Sequence, residues 1–129
     1  MTRRILVLLV GVLLLGSGRP GFAHHSFAAT YDASKTVEIV GVVKEFLWRN
    51  PHSFLRIDVT AADGAVQTWT LEWGSMSSLF RANLTRTSLH VGDRLLVTGA
   101  AARDPSSFRL RIGSLTRPLD GWSWKGQIE

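Results

Sequence analysis

An all-β fold with one short helix, a small barrel preceded by a signal peptide, is the class this sequence predicts, and three observations predict it. Runs rich in β-branched and aromatic residues recur at short intervals, over 37–48, 54–60, 66–73, 94–101 and 108–112. Apolar and polar residues alternate within them, the period of a strand with one buried face. Turn chemistry separates them: Asn50-Pro51, Asp63-Gly64 and Gly92-Asp93.

Residues 1–23 stand outside the fold. Arg3 and Arg4 precede an apolar run from Ile5 to Leu15, and a Gly/Ser/Pro segment then ends at Ala23, the pattern of a secretory signal. The apolar run is shorter than the roughly 20 residues a membrane span requires, so no membrane span is expected once the signal is removed. Gly21 and Ala23 suit a signal peptidase, and cutting there makes His24 the first residue. A cut after Ala28 has acceptable chemistry but lies further from the apolar run. The expected location is periplasmic or secreted.

Removing the first 23 of 129 residues leaves 106, enough for one domain with a modest core. Three of the fifteen basic residues leave with the signal and all ten acidic residues stay, so the net charge falls from +5 to +2. The high isoelectric point is therefore partly a property of the leader, and no nucleic-acid partner is expected. With no cysteine, the exported chain has neither a disulfide framework nor a thiolate site. Any metal must be held by imidazole, carboxylate or backbone groups.

In chain order, residues 24–36 have no sustained period and read as an extended arm, with Phe27 and Tyr31 tacking it to the barrel. The barrel proper is expected over 37–115. Apolar residues occupy odd positions at first (Val37, Ile39) and even positions later (Phe46, Trp48), a phase change that a bulge at Gly41 would explain. After Asn50-Pro51, Leu55, Ile57 and Val59 share one face of the second strand, and Trp69, Leu71 and Trp73 share one face of the third. Matching these faces places Ile57 opposite Trp69, Leu55 opposite Leu71 and Phe54 opposite Glu72, with His52 diagonal to Glu72. Ser75 to Asn83 reads as a helix capped by Ser75, with Met76, Leu79 and Phe80 on one face. Two more strands follow, and 116–129 is a tail too short for another element. Three strands, a helix and two strands, with a bent first strand, match the five-stranded Greek-key barrel called the OB-fold.

Ala23-His24-His25-Ser26-Phe27, Gly41-x-Val43, Trp48-x-Asn50-Pro51-His52-Ser53, Glu72-Trp73-Gly74-Ser75 and Val91-Gly92-Asp93 occur in that order. In these motifs the chain resembles a family of small exported bacterial proteins of unknown function, typically starting A-H-H-S-F and carrying N-P-H-S after the first strand. The resemblance implies export and transfers no activity. The chain departs from the pattern at Asn83-Leu84, where a glycine is commoner, and in its Trp-containing tail.

The candidate chemistry is histidine chemistry. A free amine on His24, its ring, and a second imidazole from His25 or His52 make a three-nitrogen set suited to copper or zinc. The thirteen-residue arm spans at most about 45 Å when extended, enough to reach His52. Glu72 is the candidate to orient the His52 ring or to act as a fourth ligand. The alternatives are solvated terminal histidines and a His52 that only satisfies its own turn. His90, alone in a turn, reads as structural. Trp48, Asn50, Phe54 and Arg56 are the candidate ligand-binding residues beside the same turn. Arg56, Arg109 and Arg111 alternate on outer faces and read first as solvated charge.

No nucleophile elbow, metalloprotease helix or catalytic cysteine is present, so a non-enzymatic module is expected. It would bind a small ligand or an exported protein partner, with copper or zinc as its possible cofactor. A copper-dependent redox protein and a structural accessory subunit of an exported complex are the alternatives.

Overall fold

The computed structural model describes residues 27–126. Six strands make one sheet: β1 (Tyr31–Leu47), β2 (Phe54–Thr60), β3 (Val66–Glu72), β4 (Arg94–Ala102), β5 (Arg109–Arg117) and β6 (Trp122–Lys125). A short helix, α1 (Met76–Arg81), lies between β3 and β4. The strand order is β3-β2-β1-β4-β5-β6, and a parallel pairing of β3 with β5 closes the first five into an OB-like barrel.

The alternating faces dictate this closure. Leu55, Ile57, Leu71, Leu95, Val97, Leu110 and Leu115 are fully buried, each contributing about 1.5–3 kcal/mol through removal from water. The β2–β3 hairpin has the expected register, Ile57 opposite Trp69, Leu55 opposite Leu71 and Phe54 opposite Glu72. A one-residue slip would turn the whole apolar set outward.

The long first strand differs from expectation in two ways. It begins at Tyr31, inside the segment expected to be an extended arm tacked on by Phe27 and Tyr31, with Tyr31 opposite Ala102 and Asp32 opposite Ala101. Burial of the Tyr31 ring, 3% exposed, gives those residues a reason to pair that polar composition does not reveal. The bulge is also not at Gly41. The register shifts between Val43 and Glu45, leaving Lys44 as the extra residue and moving the buried phase from Val43 to Phe46. Gly41 marks a close approach instead: a Cβ there would lie 2.8 Å from Ile57 Cδ1 and 2.9 Å from the Asp58 carbonyl oxygen.

Ser75 caps α1, its hydroxyl accepting from the Ser78 N–H at 3.2 Å. Leu79 points into the core, but Phe80, expected beside it, is 69% exposed. The helix is only six residues long, and the buried role passes to Leu84. Asn83 makes the exit with φ 60°, a left-handed conformation that glycine adopts freely and asparagine tolerates.

The tail, expected to be too short for another element, adds β6, pairing Leu115 with Trp124 and Arg117 with Trp122. Trp124 packs edge-on against Trp73 at 5.0 Å between ring centroids. That contact, remote in sequence, makes a four-residue strand worth forming. No helix among the described residues is long and apolar enough to cross a membrane.

Candidate functional site around His52

The connection from β1 to β2 is held from both sides. Ser53 is buried; its hydroxyl donates to the Arg49 carbonyl at 3.1 Å. Its N–H donates to the Gly74 carbonyl, and its carbonyl accepts from the Trp73 N–H, both at 2.9 Å. These bonds continue the β2–β3 ladder past Phe54. His52, two residues before Phe54, therefore falls on the face that Phe54 shares with Glu72. The Asn50–Pro51 peptide is cis, and the Asn50 side-chain oxygen accepts from the Met76 N–H at 3.0 Å, tying the turn to the start of α1.

The resulting contact is direct. His52 Nδ1 lies 2.7 Å from Glu72 Oε1. Glu72 Oε2 accepts from the Tyr31 hydroxyl at 2.6 Å and lies 3.6 Å from an Arg109 guanidinium nitrogen. A carboxylate 7% exposed is thereby compensated on both oxygens, as a buried charge must be. Burial, then the neighbouring carboxylate, push the Tyr31 hydroxyl well above its ordinary ionisation range. With Nδ1 directed at Glu72, Nε2 is the ring nitrogen left for another partner. That nitrogen has no hydrogen-bond partner among the described residues, and the side chain is 31% exposed. Phe27 packs on the ring at 4.7 Å between centroids, and the Arg111 guanidinium lies 3.7 Å from the centre of the Phe27 ring.

Of the residues singled out in the sequence, His52 and Glu72 come together. His24 and His25 lie outside the described residues. Among the described residues no group of three or more His, Cys, Asp or Glu side chains is placed to hold a metal. Trp48 is half-buried, edge-on to Phe46 at 5.7 Å. Phe54 lies under the Arg49 guanidinium at 4.9 Å, and Arg56 pairs with Glu45 at 3.3 Å. His90 sits in an exposed turn, its N–H donating to Asp93 Oδ2 at 2.9 Å.

Sequence reasoning missed Tyr31, Arg109 and Arg111 as parts of this cluster. Arg109 and Arg111 alternate as a solvated face would, but the parallel pairing puts Arg109 opposite Thr70 and Arg111 opposite Glu72. No local spacing encodes that pairing. The lone tyrosine, buried at the start of a polar segment, was the one available signal.

The profile of a family of unknown function, DUF6152, matches residues 12–111. The chain belongs to this family. The family match covers β1 to β4 with the first residues of β5, and so includes His52, Glu72, Tyr31 and both arginines. Two crystal structures of the mitochondrial single-stranded DNA-binding protein Rim1 from S. cerevisiae are also similar. One is 15% identical with a TM-score of 0.48, covering 72% of this chain and 96% of its own. The other, selenomethionine-labelled, is 16% identical with a TM-score of 0.43, covering 72% and 97%. No curated protein matches the chain.

Proposed function

We propose that this chain is an exported OB-like binding module that holds one copper or zinc ion at the end of the barrel carrying His52. His24, His25 and His52 are the ligands, and Glu72 orients the His52 ring. The observation that carries the reading is the 2.7 Å contact from His52 Nδ1 to Glu72. Metal-binding histidines characteristically donate their other ring N–H to a carboxylate, which fixes the tautomer and raises the basicity of the ligating nitrogen. Both Glu72 oxygens already have protein partners, so its role is to orient rather than to ligate.

Reach also supports the reading. Phe27 touches His52, and His24 is three residues from it in sequence, a span of at most about 10 Å. Imidazole and amine nitrogens without thiolates suit Cu(II) and Zn(II). Trp48, Asn50, Phe54 and Arg56 flank the turn and form the surface for a small ligand or an exported protein partner. The periplasm or the cell exterior is the compartment, and the mature charge of +2 leaves nucleic acid out of the proposal.

Mass spectrometry of the exported chain, paired with calorimetric titration of Cu(II) and Zn(II), tests this. The expected result is a chain starting at His24 that binds one equivalent. Glu72→Gln weakens binding about 10- to 100-fold, and His52→Ala weakens it further. A chain starting at Ala29, or full affinity in His52→Ala, ends the proposal.

A further inference from the structure

We infer that a second site, a cleft of about 250 Å³ between the start of β1 and the β4–β5 connection, binds a small organic carboxylate. Val37, Trp69 and Phe108 give it apolar walls, and Lys35, Arg103 and Arg109 line its rim. Asp104, the one carboxylate among the lining residues, is already engaged: its Oδ1 accepts from the Ser106 N–H at 3.0 Å and from the Ser106 hydroxyl at 2.7 Å.

Two independent observations set this cleft apart from ordinary packing. Trp69 Nε1 and Arg109 Nε, both on lining residues, are buried with no hydrogen-bond partner among the described residues. Each such donor is unfavourable by about 1–3 kcal/mol, and folded proteins retain few of them. The second observation is backbone strain in one wall. Phe108 has φ 43° and ψ 54°, a left-handed conformation that is a true outlier for a bulky side chain. Strain of this kind concentrates at ligand-binding and switch positions. The Phe108 carbonyl is fixed by the Thr70 N–H at 3.0 Å, and its ring stands edge-on to Trp69 at 5.6 Å between centroids.

The chemistry of the occupant follows from the lining. Donors dominate its polar groups, so the ligand must bring acceptors. Arg103 is held by Asp32 at 3.7 Å and by the Ala28 carbonyl at 2.7 Å, and Arg109 faces Glu72. Lys35 forms no ion pair among the described residues and lies in the unpaired stretch of β1 between Asp32 and Thr36. Lys35 acts on Asp32 through space, but Asp32 is already engaged by the Ser34 hydroxyl and Arg103. Lys35 is therefore the cation left to neutralise a bound carboxylate, while Trp69 and Phe108 take an aromatic or branched aliphatic body. The volume lies below the roughly 300 Å³ of the smallest drug-sized pockets, which limits the ligand to about one ring.

Benzoate and its neutral isostere benzamide are the probes, read by ¹H–¹⁵N spectra of the exported chain. The Trp69 indole signal is assigned from its loss in Trp69→Phe. The expected result is a saturable shift of that signal with benzoate and none with benzamide. Lys35→Ala, a change on an exposed bulge, weakens the benzoate response about fivefold. An unmoved Trp69 signal, an equal response to benzamide, or full affinity in Lys35→Ala overturns the inference. None of these readouts depends on a metal or on the N-terminal histidines.

Discussion

Tyr31 and Glu72, 41 positions apart, are joined by a 2.6 Å hydrogen bond from the phenol to the carboxylate. The start of β1 is thereby fastened to the group that orients His52. Tyr31→Phe removes the donor and leaves a buried oxygen with a weaker partner, Arg109 at 3.6 Å. The expected loss is about 1–2 kcal/mol, read from urea unfolding. An unchanged midpoint would show that the bond does not hold the strand.

Acid destabilisation should be sensitive to Asp93. Burial alone would raise its pKa, but the His90 N–H and the Arg117 guanidinium outweigh it and hold the carboxyl below its ordinary value. The unfolded chain therefore binds the proton more readily, and stability rises with pH through this window. The contribution is fully present above the unfolded value of about 3.9 and disappears as pH falls through the folded one. Asp93→Asn should cost about 2 kcal/mol at neutral pH and progressively less as pH falls below the unfolded value, measured as the difference between the two unfolding curves.

Gly41 should not accept a side chain. Gly41→Ala meets both the Ile57 side chain and the Asp58 carbonyl, and overpacking of this kind costs about 1–3 kcal/mol. Adding Ile57→Val relieves the first contact and not the second, so the double variant should recover only part of the loss. Full recovery would mean that the backbone there yields.

Trp124 should contribute more than an exposed tail residue would. It covers Trp73 and belongs to β6, so Trp124→Ala should cost about 2 kcal/mol and reduce the near-ultraviolet circular dichroism. An unchanged melting curve would show that β6 is dispensable to the barrel.

What the sequence discloses is whatever short-range alternation controls. The β2–β3 register, including the Phe54–Glu72 pair and hence the approach of His52 to Glu72, follows from two apolar faces that must meet. The Ser75 cap is legible for the same reason, as its hydroxyl acts three residues away. The misplaced features depend on distant partners. Lys44 is the bulge because β2 is out of step with the second half of β1, a condition that the glycine three residues earlier does not reveal. Phe80 lies about 100° round α1 from Leu79, and with only Leu79 facing the core it falls on the solvent side. The strand pairing that starts at Tyr31 and the strand β6 form because Glu72 and Trp73 await them, and Arg109 reaches the site only through the parallel β3–β5 pairing.

That pairing is brief: Thr70, Leu71 and Glu72 against Arg109, Leu110 and Arg111 are its register. Parting of this seam also parts Glu72 from Arg109, so breathing of the barrel and reorientation of the imidazole become one motion. Deuterium uptake at the Leu71 and Leu110 amides would then keep time with the loss of His52 from its carboxylate.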